Sequence, residues 1–354
     1  MRRVVFLLCV CLASMMTSAF WAVGPGPGAF MQPGGGYLGQ KPPGAEPALF
    51  APGVVDTGMY TRDVAIMPDG GEIYWSATVG NWAITTILFS KLVDGRWTAP
   101  EVAPFATDPR SHTIEPCITP DGKQFFFASD RPGPMEGDEG NFDIYVMDRQ
   151  EGGWGEPRSV GSLINTGRGE FFPSVTEEGT LYFTRDGGPG SSDIWRARWE
   201  DGRYLTPEKL PSPINKGSYQ FNAFVAPDES YLILSMAGQK ANLGSVDYYV
   251  VFRTGLSTWT EPINLGPKVN GKKAEGYSAY VTRDGKYFFF ASARVRKDLF
   301  APGDKLTAAR LKELHNTGGN GTSTIYWMDA GFIKDLRPNP PKEEPPKMAP
   351  PTLK

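Results

Sequence analysis

The sequence predicts an all-β fold, a five-bladed β-propeller of four-stranded antiparallel blades. Three observations carry that prediction. A turn acid recurs at Asp69, Asp121, Glu178, Asp228 and Asp284, with spacings of 52, 57, 50 and 56 residues. An apolar or aromatic run follows each one: Ile73-Tyr74-Trp75, Phe125-Phe126-Phe127, Leu181-Tyr182-Phe183, Tyr231-Leu232-Ile233-Leu234 and Tyr287-Phe288-Phe289-Phe290. Two further strand signals then complete a unit of about 50 residues, and such a unit buries its faces only by stacking on its neighbours.

The first hairpin is clearest in the second copy. In Thr119-Pro120-Asp121-Gly122, proline presets φ, aspartate supplies a local acceptor and glycine takes positive φ. The third strand opens at Asp143-Ile144-Tyr145, Asp193-Ile194-Trp195, Asp247-Tyr248-Tyr249 and Thr324-Ile325-Tyr326, with the weaker Thr86-Ile87-Leu88 in the first copy. Those aspartates read as turn caps. The fourth strand pairs an aromatic with a proline three residues on: Trp97/Pro100, Trp154/Pro157, Tyr204/Pro207 and Trp259/Pro262. Proline belongs on an edge, so this strand is the outer one, and its aromatics read as packing between blades. Asp108, Asn165, Asn215 or Asn270 follows eight residues after each proline.

The fifth copy lacks this outer strand. Glu46-Pro47-Ala48-Leu49 matches Glu156-Pro157, so residues 45–50 are expected to close the last blade and hide two sheet edges. The competing closing strand is Phe332-Ile333-Lys334. The expected organisation is a signal peptide at 1–19, a Gly/Pro-rich linker at 20–44, the propeller at 45–336 and a disordered Pro-rich tail at 337–354. Met1-Arg2-Arg3 before an apolar core, with Thr17-Ser18-Ala19 at its end, has the pattern of a secretory leader. Export to the periplasm or beyond the cell follows, with no membrane span after cleavage. A short surface helix is expected around 304–315, with Asp304 as its cap.

Composition bounds the function. Among 354 residues, 42 glycines, 32 prolines and 12% aromatics suit a turn-rich β protein. The net charge of −3 gives no reason to expect nucleic acid. Cys117 is the single cysteine after the leader, and it reads as a small buried hydrophobe. Two histidines rule out a three-histidine metal site, and no cofactor motif is present. The acidic loop at 136–143 lacks the spacing of a calcium loop.

The repeat text resembles the WD40-like β-propeller repeat family of the TolB-like periplasmic type. Glu115-Pro116 through Pro120-Asp121-Gly122, Phe127-Ala128-Ser129-Asp130-Arg131 and Asp143-Ile144-Tyr145-Val146-Met147 carry the resemblance. Glu177 and Arg283 replace the turn proline, and Glu229 replaces the turn glycine, which loosens single turns. The family implies an architecture and little chemistry.

Connections between blades and loops between second and third strands share one face. Candidate ligand contacts there, at the channel mouth, are Arg62, Asp63, His112, Glu115, Arg131, Glu170, Arg185, Glu275, Tyr277 and Arg294, with Tyr219 and Gln220 beside them. Arginines would suit an anionic sugar or a peptide carboxylate. The repeat itself favours a structural role for Arg131, Arg185 and Arg294, as partners of a neighbouring blade. No catalytic motif appears. The expectation is a monomeric binding or scaffold module for an envelope protein or glycan. The alternative is a polysaccharide lyase or glycosidase, using Glu115 with Glu170 or Asp63, or His112 as a base.

Overall fold

The computed structural model describes residues 37–132, 140–217, 219–272, 276–300 and 302–338. The signal-peptide expectation, Glu275, the acidic loop at 133–139 and most of the tail lie outside them. Five antiparallel sheets form a ring. Their inner strands are Tyr60–Ile66, Thr113–Ile118, Glu170–Val175, Gln220–Val225 and Ala279–Val281. Each inner strand contacts the next, and the fifth contacts the first, so together they enclose a central channel.

In the first four blades the turn acids sit where an inner strand bends into the second strand. The third strand pairs on the far side of the second, and a two-residue outer strand completes each sheet, as with Arg158–Ser159 on Asp143–Gln150. In blade five the outer strand comes from the other end of the chain. Ala48–Leu49 pairs antiparallel with Thr324–Asp329, Ala48 opposite Trp327. The N-terminal closure is therefore the one used. Gly331–Asp335, which contains Phe332 to Lys334, is a short helix.

Tyr37 and Leu38, inside the expected linker, pack on blade five. Leu38 is fully buried, and the Tyr37 ring meets Tyr287, Phe289 and Trp327 of blade five at 6.1–6.4 Å. These aromatics give the apolar surface that a Gly/Pro-rich composition conceals. The insertion helix runs Ala308–His315. Its cap is Thr307, whose side chain accepts from Arg310 N, in place of Asp304. Among the described residues no helix is long and apolar enough to cross a membrane.

One inter-blade bond repeats five times. The residue six before each turn acid donates its backbone N–H to a side chain of the preceding blade. Asp63 N bonds Ser278 Oγ, Glu115 N bonds Ser76 Oγ and Phe172 N bonds Glu115 Oε2. Asn222 N bonds Thr184 Oγ1, and Ser278 N bonds the Tyr248 hydroxyl. In the first four strands this residue is a bulge in the left-handed region, with φ of 55°, 60°, 53° and 53°. A bulge turns the N–H out of its own ladder, and the neighbouring blade then satisfies it. Gly276 makes room for the fifth bond, since a Cβ there would lie 2.6 Å from the Tyr248 ring.

The asparagines after the outer strands also have a role. Asn165 accepts from Ile144 N at 3.0 Å and donates to Ile144 O at 2.9 Å, so its amide extends the ladder. Asn215 does the same to Ile194, and Asn270 to Tyr248. The fourth-strand aromatics lie at blade interfaces, and Trp154 Nε1 donates to the Tyr74 hydroxyl of the preceding blade at 2.9 Å.

The closure is testable. Phe50 is fully buried, edge-on to Phe289 at 5.0 Å and Trp327 at 5.4 Å. Phe50→Ala is expected to cost about 3–5 kcal/mol in denaturant unfolding, because it empties the seam between the chain ends. A loss within about 1 kcal/mol of zero would show that the N-terminal strand does not hold the ring.

Candidate binding site at the channel mouth

The bulges place a belt of side chains around the channel: Asp63, Glu115, Phe172 and Asn222. The belt divides the channel in two. Above it lies a mouth of about 360 Å³, lined by Tyr60, Trp82, Phe171, Tyr219, Phe221 and Tyr277 over a floor of Arg62, Glu115 and Asn222. Below it lies a chamber of about 380 Å³ that reaches the turn face, where Tyr37 and Asp284 flank its exit.

Arg62 organises the belt. It is 5% exposed; Nε donates to Asp63 Oδ1 at 3.0 Å and Nη2 to Glu115 Oε1 at 2.7 Å. Nη2 also reaches the Tyr277 carbonyl at 3.3 Å. Burial works against the charge of Arg62, but Asp63 and Glu115 outweigh it and hold the guanidinium protonated. Burial raises Glu115, with Asp63 adding to the effect, while Arg62 and the Phe172 N–H oppose it; the carboxyl ends at about 7. Asn222 donates its amide to the Tyr277 carbonyl.

Aromatic rings stand above this floor. Trp82 and Tyr219 are each 37% exposed. Trp82 lies against Tyr60 at 5.7 Å, and the Arg62 guanidinium is 6.0 Å from its ring. Across the mouth Phe221 stands between Tyr219 at 4.8 Å and Tyr277 at 6.0 Å.

The sequence-derived candidates fall into separate groups. Arg62, Asp63 and Glu115 meet in the belt, and Tyr277 meets them at the mouth. Arg131, Arg185 and Arg294 point instead into the blade seams. Each gives an Nη2 bond to the chain between blades, at Phe105 O (2.8 Å), Ile164 O (2.8 Å) and Val269 O (2.7 Å). Each also lies over two aromatics: Phe127 and Tyr145, Phe183 and Trp195, and Phe290 and Tyr326. Arg185 fills this role although it stands three residues nearer its turn acid. Glu170 is fully buried and accepts from Arg185 Nε at 2.6 Å and from Thr166. Gln220 binds Ser192 O and Gly217 N inside a seam.

His112 lies outside the belt, with both ring nitrogens on acceptors: Nδ1 at 2.5 Å from Asp130 Oδ2 and Nε2 at 2.7 Å from Trp82 O. A ring held in this way is a poor general base. Cys117 is partly exposed along the chamber wall, and burial pushes its thiol up to about 12. Among the described residues no three His, Cys, Asp or Glu side chains converge as metal ligands.

Comparison with solved structures matches this architecture. A glycoside hydrolase superposes with a TM-score of 0.52 at 10% identity, over 82% of this chain and 92% of its own. A protein solved in an RGII complex gives 0.51 at 11% identity, over 82% of this chain and 93% of its own. TolB from Acinetobacter baumannii gives 0.44 at 15% identity, over 77% of this chain and 57% of TolB, so the chain spans little more than half of TolB's length. No family model and no curated protein matches the sequence. What the chain shares with the first two structures is the propeller fold.

Of the mouth residues, Tyr277 and Tyr219 were among the sequence candidates, whereas Tyr60, Trp82, Phe171, Phe221 and Asn222 were not. A positional signal for them does exist. Phe171, Phe221 and Tyr277 stand seven residues before their turn acids, at the position of Arg62, while Tyr60 and Tyr219 stand nine before theirs. Trp82 had no such signal, because loops between second and third strands differ in length.

Two outcomes test the belt. Arg62→Leu leaves two buried carboxylates without their cation, and it should cost about 3–5 kcal/mol at neutral pH. That cost should shrink in acid, where Glu115 takes a proton. Glu115 itself has a raised folded pKa, so its contribution favours the fold below 4.5 and is lost as pH rises through about 7. Denaturant melts of Glu115→Gln should therefore lose a falling slope of stability across that window. An unchanged slope would show that Glu115 does not titrate in the belt.

Proposed function

We propose that the protein is an exported, monomeric binding module whose channel mouth holds a neutral saccharide of the cell envelope. The observation that carries this reading is the aromatic mouth over a buried polar floor. Sugar C–H faces stack on aromatic rings, and sugar hydroxyls bond a polar floor, so the two halves of the site match the two halves of a pyranose. The Arg62 guanidinium is spent on Asp63 and Glu115. Its charge is thereby offset by two carboxylates, so a neutral sugar fits better than a uronate. The leader-like residues 1–19 support export.

A specific observation also favours a second reading. Asp63 and Glu115 are carboxyls on adjacent blades, and Glu115 holds its proton far more tightly than an ordinary glutamate. Such a pair has the makings of a glycosidase acid and base. Against this, both Glu115 oxygens are engaged, by Arg62 Nη2 and Phe172 N.

Calorimetry with xylotriose, arabinan oligomers and trigalacturonate separates these readings. Neutral oligomers should bind without turnover. Trp82→Ala and Tyr219→Ala should each weaken binding roughly five- to tenfold, about 1 kcal/mol or more for a lost stacking surface. Sugar release that Glu115→Gln abolishes would replace the binding reading with the hydrolytic one. Preferential binding of trigalacturonate would overturn the neutral-sugar assignment.

A further inference from the structure

Trp82 stands at the tip of the hairpin joining Glu72–Val79 to Ile84–Val93. Gly80, Asn81 and Trp82 are consecutive left-handed residues, with φ of 65°, 55° and 72°. That backbone is costly for tryptophan, so a contact outside the hairpin is needed to hold it. Tyr60 and Arg62 meet the Trp82 ring, and the hydrogen bond to the Trp82 backbone comes from His112 of the next blade. Its Nε2 lies 2.7 Å from Trp82 O, its Nδ1 lies 2.5 Å from Asp130 Oδ2, and its own backbone N–H donates to Asp130 Oδ1 at 2.6 Å.

A carbonyl oxygen only accepts, so Nε2 must donate. An ionised carboxylate only accepts, so Nδ1 must donate too. Only the imidazolium has both protons. The neutral ring keeps one, and the carboxylate bond is the stronger of the two. The bond to Trp82 is therefore the one that breaks.

We propose that His112 is a positioning residue of the mouth: as an imidazolium oriented by Asp130 it seats Trp82 over the channel, and as a neutral ring it releases Trp82. The consequence for ligand binding rests on the mouth reading above, whereas the movement of Trp82 does not. Asp130 is the one charged group acting on His112 among the described residues; the Trp82 hairpin contributes a carbonyl, and the Phe142 ring lies 6.3 Å away. The neighbouring Arg131 is turned onto Phe105 O. Burial disfavours the charged ring, but the bonds to Asp130 and Trp82 outweigh it, so the His112 pKa stands above 6.5. The sign follows: the seated state is full below 6.5 and is lost as pH rises through the raised value.

The test uses the full chain carrying His315→Asn, which leaves His112 as its one histidine. Nuclear magnetic resonance follows the His112 ring and the Trp82 indole N–H, assigned by its loss in Trp82→Phe, from about pH 5 to about pH 9. Both signals should share one midpoint above 6.5. Asp130→Asn should move both midpoints to lower pH together, and its amide oxygen can still accept from His112 N. His112→Gln should make the Trp82 signal flat. A Trp82 signal that stays flat while His112 titrates, or that ignores Asp130→Asn, overturns the proposal. In parallel, xylotriose affinity should fall about tenfold across the same midpoint. If Trp82 follows His112 but no sugar binds at any pH, the latch stands and the mouth reading fails.

Discussion

The ring depends on one hydrogen bond made five times. Each inner strand turns a backbone N–H away from its own sheet, and a side chain of the preceding blade accepts it. An unpaired buried N–H is expensive, so each blade is incomplete without its neighbour. In the first four blades the bulge that turns the N–H out also brings its side chain to the channel. Assembly of the ring and assembly of the belt are thus one event. Glu115 shows this most directly, since its backbone is held by Ser76 of blade one while its carboxylate holds Phe172 of blade three.

The belt places one guanidinium between two carboxylates where water scarcely reaches. Such a triad adds little net stability, because desolvation offsets most of the Coulomb attraction. It does fix geometry, since removing the guanidinium leaves two buried carboxylates without a cation. Asp63 and Glu115 are thereby held in one arrangement beneath the aromatics. The same arrangement neutralises the cation that an acidic ligand would seek. Electrostatics and shape together underlie the proposed neutral-saccharide reading.

Arginine serves two purposes in this molecule, and the surroundings decide which. Arg131, Arg185 and Arg294 lie over aromatic rings and donate to the chain between blades. A planar guanidinium can stack and donate at once, which an ammonium cannot do. Arg62 meets the Trp82 ring at a longer distance and turns to the axis, where two carboxylates take its donors. The seam arginines lie on or just after the second strands of their blades, whereas Arg62 lies on an inner strand.

The sequence by itself determined the fold. Period, turn chemistry and proline placement are local signals, and they marked five blades and the closing strand at 45–50 because short strands and tight turns depend on nearby residues. It also brought Arg62, Asp63, Glu115 and Tyr277 into one group, since equivalent repeat positions must lie at equivalent heights in a ring. Tertiary structure decided the rest. It bent the inner strands into left-handed bulges, sent three arginines into the seams, and brought Trp82 from a hairpin of irregular length to the mouth beside His112. Those outcomes arise from contacts between residues 21 or more apart in the chain. A repeat pattern records that such contacts exist, while the packing of particular side chains decides which atoms make them.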